Sequence, residues 1–225
     1  MRMNFSLMNR LFLAIAIAAL AASAPAAARA EVKPNSLFSD GAVLQRGIAV
    51  PVWGTASDGE KVTVKFQQQI VTATAKDGRW LVRLKPLQAG GPFTLTVAGD
   101  NNTLTISNVL VGEVWLCSGQ SNMAFELSRA AEATEAIAAA GDPQLRLLTV
   151  PRGATDTPIT DAPGKWQESS PETAAKFSAV AWFFGCDLRK ALNVPVGLIN
   201  SSVGGTPAEA SHLLTRERGL RAARN

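Results

Sequence analysis

Histidine is almost absent from this 225-residue chain, which carries it only at His212. Cysteine is nearly as scarce, with Cys117 and Cys186 far apart in sequence. Without a histidine pair or a CxxC spacing, no set of metal ligands is recognisable. Two distant cysteines also do not make the disulfide framework of a small secreted scaffold. Cys117 falls in an apolar strand pattern and Cys186 in a helical one, so separate buried thiols are expected rather than a bond between them. Basic residues never gather into a stripe interleaved with aromatics, which argues against a nucleic-acid partner. The apolar stretch at residues 11–21 falls short of the roughly 20 residues a membrane-spanning helix needs.

That short stretch has another use. Arg2 and Arg10 lie before it, alanines follow it, and Ala28-Arg29-Ala30 offers small residues at both positions a signal peptidase reads. Residues 1–30 are therefore expected to be an export signal cleaved before Glu31. The mature chain would then be periplasmic or secreted, with no stable membrane anchor and no cysteine at the junction to take a lipid. The leader holds Arg2, Arg10 and Arg29 but no acidic residue, so cleavage lowers the net charge from +4 to +1. Arg216, Arg218, Arg221 and Arg224 against Glu217 make a basic tail, leaving the body slightly acidic.

The mature length suits one good core or two small ones. From residue 31 to 108 the pattern is all-β. Runs at 48–53, 61–67, 70–75, 80–84 and 93–97 are rich in β-branched and aromatic residues. In the second of them Val62, Val64 and Phe66 alternate with Lys61, Thr63 and Lys65. Ser57-Asp58-Gly59, Asp77-Gly78 and Ala89-Gly90-Gly91-Pro92 supply turn chemistry between the runs. Close spacing predicts a small antiparallel β-sandwich.

From 109 the pattern changes. Residues 109–116 form an apolar run with little alternation, as in a strand covered on both faces. Residues 127–140 read as an alanine-rich helix ended by Gly141-Asp142-Pro143, and 145–150 as a second buried strand. Ser170-Pro171-Glu172 opens a strong helix, with Phe177, Val180, Ala181, Phe184, Leu188 and Leu192 as its apolar face. Residues 194–199 make a third strand. Helices alternating with buried strands predict an α/β unit on a parallel sheet, with about half the elements of an ordinary one. It would occupy 109–210, leaving 211–225 as an atypical tail.

In such sheets ligands bind beyond the carboxyl ends of the strands. Two small-residue, polar segments fall there: Gly119-Gln120-Ser121-Asn122 after the first strand, and Asn200 to Thr206 after the last. Ser121 is the candidate nucleophile, its own backbone N–H one oxyanion donor, and Gly204 or Gly205 the source of a second. The plainer alternative is that Ser121 caps a following helix and the two glycines make a tight turn. The segment is not a G-x-S-x-G elbow, because Met123 holds the last position.

Several stretches together resemble the sialate O-acetylesterases, within the SGNH or GDSL serine esterases. They are Leu37-Phe38-Ser39-Asp40, Val43-Leu44-Gln45-Arg46, Val50-Pro51-Val52-Trp53-Gly54 and Gly90-Gly91-Pro92-Phe93-Thr94-Leu95. The strongest are Val111-Gly112-Glu113-Val114-Trp115-Leu116-Cys117-Ser118-Gly119-Gln120-Ser121-Asn122-Met123 and Pro195-Val196-Gly197-Leu198-Ile199-Asn200-Ser201-Ser202, with Gly204-Gly205-Thr206-Pro207-Ala208-Glu209-Ala210 after it. The resemblance implies a β-sandwich-like domain beside a flavodoxin-like catalytic domain. It matches Ser121 to the catalytic serine and the glycine pair to an oxyanion donor. It also implies an O-acetylated sugar as substrate, sialic acid or a related glycan such as xylan, and no cofactor.

This chain departs from the family pattern in places. Gly41 stands where the family often has histidine, and Val203 and Ser211 where it often has tryptophan. Neither the Gln-Gly-Glu-x-Asn-like segment of the family, another oxyanion donor, nor its Asp-x-x-His segment, the general base, has a counterpart here. His212 has no neighbouring aspartate in an orienting arrangement and is expected to be inert. The expectation is a truncated, catalytically silent form of an acetylesterase. The competing class is a non-catalytic exported carbohydrate-binding module, but Trp53, Trp80 and Phe93 sit inside strand patterns as core residues do.

Overall fold

The computed structural model describes residues 31–151, 159–161 and 163–206. The expected leader at 1–30, the tail at 211–225 and His212 lie outside the described residues.

Alternation builds the first half. After two short strands, β1 (Lys33–Pro34) and β2 (Val43–Gln45), come β3 (Val50–Thr55), β4 (Lys61–Phe66), β5 (Gln69–Thr74), β6 (Arg79–Leu84) and β7 (Gly90–Ala98). In β4, Val62, Val64 and Phe66 are fully buried while Lys61 and Lys65 face outward. Strands β1, β3 and β6 form one antiparallel sheet. Strands β4, β5 and β7 pair antiparallel within a second, larger sheet. Val52, Val82 and Leu84 from the first sheet share a core with Val62, Val64, Phe66, Leu95 and Val97 from the second. The link between β5 and β6 is the Asp77-Gly78 turn: φ is 53° and 71° at the two residues, and Lys76 and Arg79 exchange backbone bonds of 2.9 and 3.1 Å across it. Two consecutive left-handed residues match the right-handed twist of the flanking chain.

The next strand, β8, runs from Thr103 to Gly119, longer at both ends than the sequence pattern of 109–116 predicts. Its first part pairs antiparallel with β7 and parallel with β2; its last part, from Glu113, pairs parallel with β11 (Val196–Ser202). Strand β9 (Asp142–Thr149) lies parallel on the far side of β11, and β10 (Gln167–Ser169) adds to it antiparallel. One eight-stranded sheet thus runs through both halves of the chain. The architecture is mixed α/β, rich in strand and with few helices.

The helices differ most from expectation. Residues 127–140 do not form one helix: a 3-10 turn at Leu127–Arg129 is followed by α1 (Ala133–Ala138), with Glu132 between them at φ 61°. Alanine propensity alone is weak, and α1 buries no side chain to extend it. The helix expected from Ser170 splits into α2 (Pro171–Ala175) and α3 (Ala179–Leu192). Ser170 caps α2 as predicted, its hydroxyl accepting from Thr173 N at 3.3 Å, with Pro171 in the first turn. Ser178 then caps α3, accepting from Ala181 N at 3.2 Å, a local bond that competes with helix continuation. Between them Phe177 turns into the core, its carbonyl taken by Leu127 N.

The buried face of α3 is also rotated from the predicted one. Ala179, Ala181, Trp182 and Gly185 are inside, whereas Val180, Phe184 and Leu192 are exposed. Gly185 sets this rotation. A Cβ there would lie 2.6 Å from Leu198 Cδ1, so the helix packs its backbone straight onto β11.

A polar strap supports the joint between the halves. Arg146, only 3% exposed, donates to Pro143 O at 2.8 Å and Asn108 Oδ1 at 3.0 Å and pairs with Glu168 at 3.2 Å. Nearby, Arg46 Nε donates to Glu113 Oε1 at 2.7 Å and Gln45 Nε2 to Glu113 Oε2 at 3.1 Å. These bonds hold the Glu113 carboxyl below its ordinary pKa, Arg46 having the larger effect. No helix among the described residues is long and apolar enough to cross a membrane.

Candidate active site

The carboxyl ends of β8 and β11 lie side by side, with Ser202 opposite Gly119. The parallel register carries both polar segments to the same sheet edge. Val203 N donates to Gly119 O at 3.1 Å, extending the pairing one step past the strands. The chain then turns at Gln120, where Ala124 N donates to Gln120 O at 2.9 Å. Gly119 permits this turn: a Cβ there would stand 3.1 Å from Met123 Cβ. Met123 Sδ in turn accepts from Ser178 Oγ at 3.4 Å, tying the loop to the start of α3.

Ser121 is exposed at the head of this turn. Its hydroxyl donates to Gln120 Oε1 at 2.8 Å, and its backbone N–H donates to the same oxygen at 2.9 Å. The hydroxyl therefore caps no helix, and the first element that follows is the 3-10 turn six residues on. Of the two glycines, Gly204 is the one brought to Ser121. Its ideal Cβ position is 3.7 Å from Ser121 Cα and 3.9 Å from Ser121 Cβ. Gly205 points into open space with φ 81° and makes the turn, which Thr206 Oγ1 closes by donating to Val203 O at 2.8 Å. Sequence spacing does not choose between them; in the structure it is the Gly204 Cβ position that lies against Ser121.

The sequence marks Gln120 as part of the polar segment but assigns it no role of its own. One carboxamide oxygen holds both the hydroxyl and the N–H of Ser121. Its only sequence signal is its place beside the serine. Cys117, two residues before Gly119, is buried, and burial pushes its thiol up to about 11. It is thus no competing nucleophile at neutral pH. Cys186, on α3, is pushed up to about 11 for the same reason, and both cysteines are free.

The described residues contain no histidine and no group of three or more His, Cys, Asp or Glu side chains that could hold a metal ion. A cavity of about 90 Å³, lined by Thr149, Glu172 and Lys176 among others, lies at the end of β9 and does not include Ser121. The arrangement offers a hydroxyl, an adjacent backbone N–H and a close-approaching glycine at an open strand edge. That set can receive and polarise a carbonyl. Activating the hydroxyl takes a base, and here its hydrogen bond goes to the neutral Gln120 carboxamide instead.

No protein-family model matches the chain. It is 34% identical over 196 residues to a sialate O-acetylesterase of Homo sapiens, covering 78% of this chain and 38% of that protein. A sialate O-acetylesterase of Rattus norvegicus is 33% identical over 178 residues, with 70% and 33% covered. In three dimensions the chain is similar to the crystal structure of a carbohydrate acetylesterase from Xanthomonas citri, with a TM-score of 0.77 and 41% identity. That likeness takes in 80% of this chain and 42% of the other. The chain therefore spans 38% of the length of the human relative it matches. Along most of its own length the chain is similar in sequence to sialate O-acetylesterases and in fold to a carbohydrate acetylesterase.

Proposed function

We propose that this chain carries the nucleophile half of a carbohydrate O-acetylesterase site. Ser121 is the nucleophile, and the N–H groups of Ser121 and Gly204 are oxyanion donors. One observation carries the reading: the Gly204 backbone lies against Ser121 at the carboxyl edge of the parallel strands. In the reaction, Ser121 Oγ bonds to the acetyl carbonyl carbon and passes its proton to a general base. The two N–H groups hold the negative oxygen, the sugar alkoxide leaves with a proton, and water then frees acetate from the acyl-serine. Before any ester enters, the Gln120 carboxamide must swing off the Ser121 N–H.

Within this reading the base and a further oxyanion donor come from outside the residues described, and the substrate is an O-acetylated sugar such as sialic acid. The names of the relatives support that class. The signal-like composition of 1–30 supports an exported protein. Two hydrophobic clusters support a sandwich-like part over 31–108 and the N-terminal part of a flavodoxin-like catalytic domain over 109–210, sharing β8. The test is acetate release from O-acetylated sialic acid and from acetylated xylan by the purified chain, with Ser121→Ala beside it. Serine-dependent release would make the chain self-sufficient. Equal, background release from two folded proteins is the expected result for the chain alone. The same assay on a chimera that adds the unmatched part of the Xanthomonas citri enzyme should then restore turnover that Ser121→Ala abolishes. Failure of that chimera, once shown to be folded, would sink the reading.

A further inference from the structure

The helix-facing side of the parallel strands changes character at its carboxyl end. Side chains alternate along a strand, and residues in register on parallel neighbours share a face. Leu145 and Leu147 of β9, Val196 and Leu198 of β11 and Cys117 of β8 pack with Ala181 and Trp182 of α3 in one core. The next positions on that face are Thr149, Asn200 and Ser202, so an apolar floor ends in a row of polar side chains. Asn200 lies in register with both Cys117 and Thr149, and Ser202 with Gly119. The row leads from the Ser121 loop across β11 to β9, two strand spacings or about 10 Å.

Asn200 is the unusual member. It is only 8% exposed, and its Oδ1 accepts from Ser202 Oγ at 2.7 Å. Its Nδ2 donates to nothing among the described residues. A nearly buried amide donor without a protein partner marks a place where a ligand or a water is received. At the far end of the row lies the cavity of about 90 Å³. Thr149, Gln167, Glu172 and Lys176 give it polar walls, and Leu147 and Phe177 an apolar one. Among the described residues those four polar side chains make no hydrogen bond or ion pair, although Glu172 and Lys176 stand only four residues apart. A single water needs about 10–15 Å³ of such space, so the cavity admits several hydroxyl groups at once.

We propose that Asn200, Thr149, Gln167, Glu172 and Lys176 form a sugar subsite, which takes a pyranose unit through its neighbouring hydroxyls while the acetyl group lies at Ser121. The donor and acceptor set selects this ligand. A hydroxyl donates to a carboxylate such as Glu172 and accepts from an ammonium or amide such as Lys176, Gln167 or Asn200. Neighbouring hydroxyls on one ring use both kinds together. A simple anion would engage Lys176 but meet the Glu172 carboxylate, and an apolar ligand would leave every polar group unmet. Leu147 and Phe177 supply the wall against which the C–H face of a sugar ring packs. The inference rests on the esterase reading for the place of the acetyl group, and on Asn200 and the cavity for the sugar.

The test is an NMR titration of the whole chain with two ester-free sugars, the methyl glycoside of N-acetylneuraminic acid and xylotriose. At least one should bind and shift the side-chain amide signals of Asn200 and Gln167. Glu172→Gln combined with Lys176→Met, two exposed positions, should weaken that binding about tenfold. Lys190→Met, which removes an exposed cation from α3, should leave it unchanged. In the chimera that adds the unmatched part of the Xanthomonas citri enzyme, the Glu172 and Lys176 double variant should raise KM and leave kcat nearly unchanged. Sugar binding that the double variant loses, with no turnover by the folded chimera, would uphold the subsite and count against the esterase reading. Turnover whose KM the double variant does not move would do the reverse. No shift at Asn200 with either sugar, or equal binding by the double variant, overturns the proposal.

Discussion

At the scale of single residues, the chemistry around Ser121 is decided by which neighbours are ionised and which are held. Gln120 holds the serine through a neutral carboxamide, so Ser121 remains an ordinary hydroxyl in this arrangement. Cys117 and Cys186 are kept neutral by burial, each near 11 against an ordinary value of 9.0. A pKa of about 11 leaves roughly a hundredth of the thiolate that an ordinary cysteine has at pH 8. Alkylation of the native protein at pH 8 should therefore be slow at both cysteines and become fast on denaturation. The same shifts fix a sign for stability. Between pH 9 and about 11 the unfolded chain loses thiol protons that the native chain keeps, so stability falls as pH rises through that window. Urea unfolding midpoints should drop across it. A Cys117→Ala, Cys186→Ala double variant should show a shallower fall, and an equal fall would mean the thiols are exposed.

At the scale of elements, α3 shows how one residue orients fourteen. Gly185 lets the helix backbone approach β11, with Leu198 Cδ1 at 2.6 Å and Leu145 Cδ1 at 3.0 Å from where a Cβ would stand. Gly185→Val would push α3 off the sheet and should destabilise the protein by about 1–3 kcal/mol. Gly141→Val, with nothing within 4 Å, is the control and should cost little by the same denaturation measurement. This is also why the helix was only half legible in the sequence. The periodicity of Phe177, Val180, Ala181, Phe184, Leu188 and Leu192 marks a helix but assumes that large residues face inward. The contact face is instead built around small residues and Trp182, and the larger Val180 and Phe184 look outward. Caps were easier to read, because Ser170 with Pro171 acts through local geometry that the sequence states directly. The break at Ser178 depends on where Phe177 must go in three dimensions, and no local pattern carries that. At the site, the register of β8 against β11 brings the two polar segments together, information that lies between strands rather than along either.

At the scale of the whole molecule, β8 makes the two patterns of the sequence inseparable. The sharp change of composition near Val109 suggests a boundary, yet one seventeen-residue strand crosses it without interruption. Val109 and Val111 belong to the core under the antiparallel strands, and Cys117 to the core under α3. Arg146 and Glu113 add buried or half-buried polar links at the crossing, where Arg146 contacts Asn108 and Glu168 and Glu113 takes Arg46 and Gln45. Separating the halves would therefore break a strand, expose both cores and strand a nearly buried guanidinium, a large combined cost. The described residues from Glu31 onward accordingly belong to one compact unit. Thermal unfolding of this chain should then be a single cooperative transition, with calorimetric and van't Hoff enthalpies equal. Arg146→Met should lower its midpoint without splitting it. Two resolved transitions, or a fragment of residues 31–108 as stable alone as in the whole, would show that the strand joins two independent bodies. In that case the half that carries Ser121 would fold by itself.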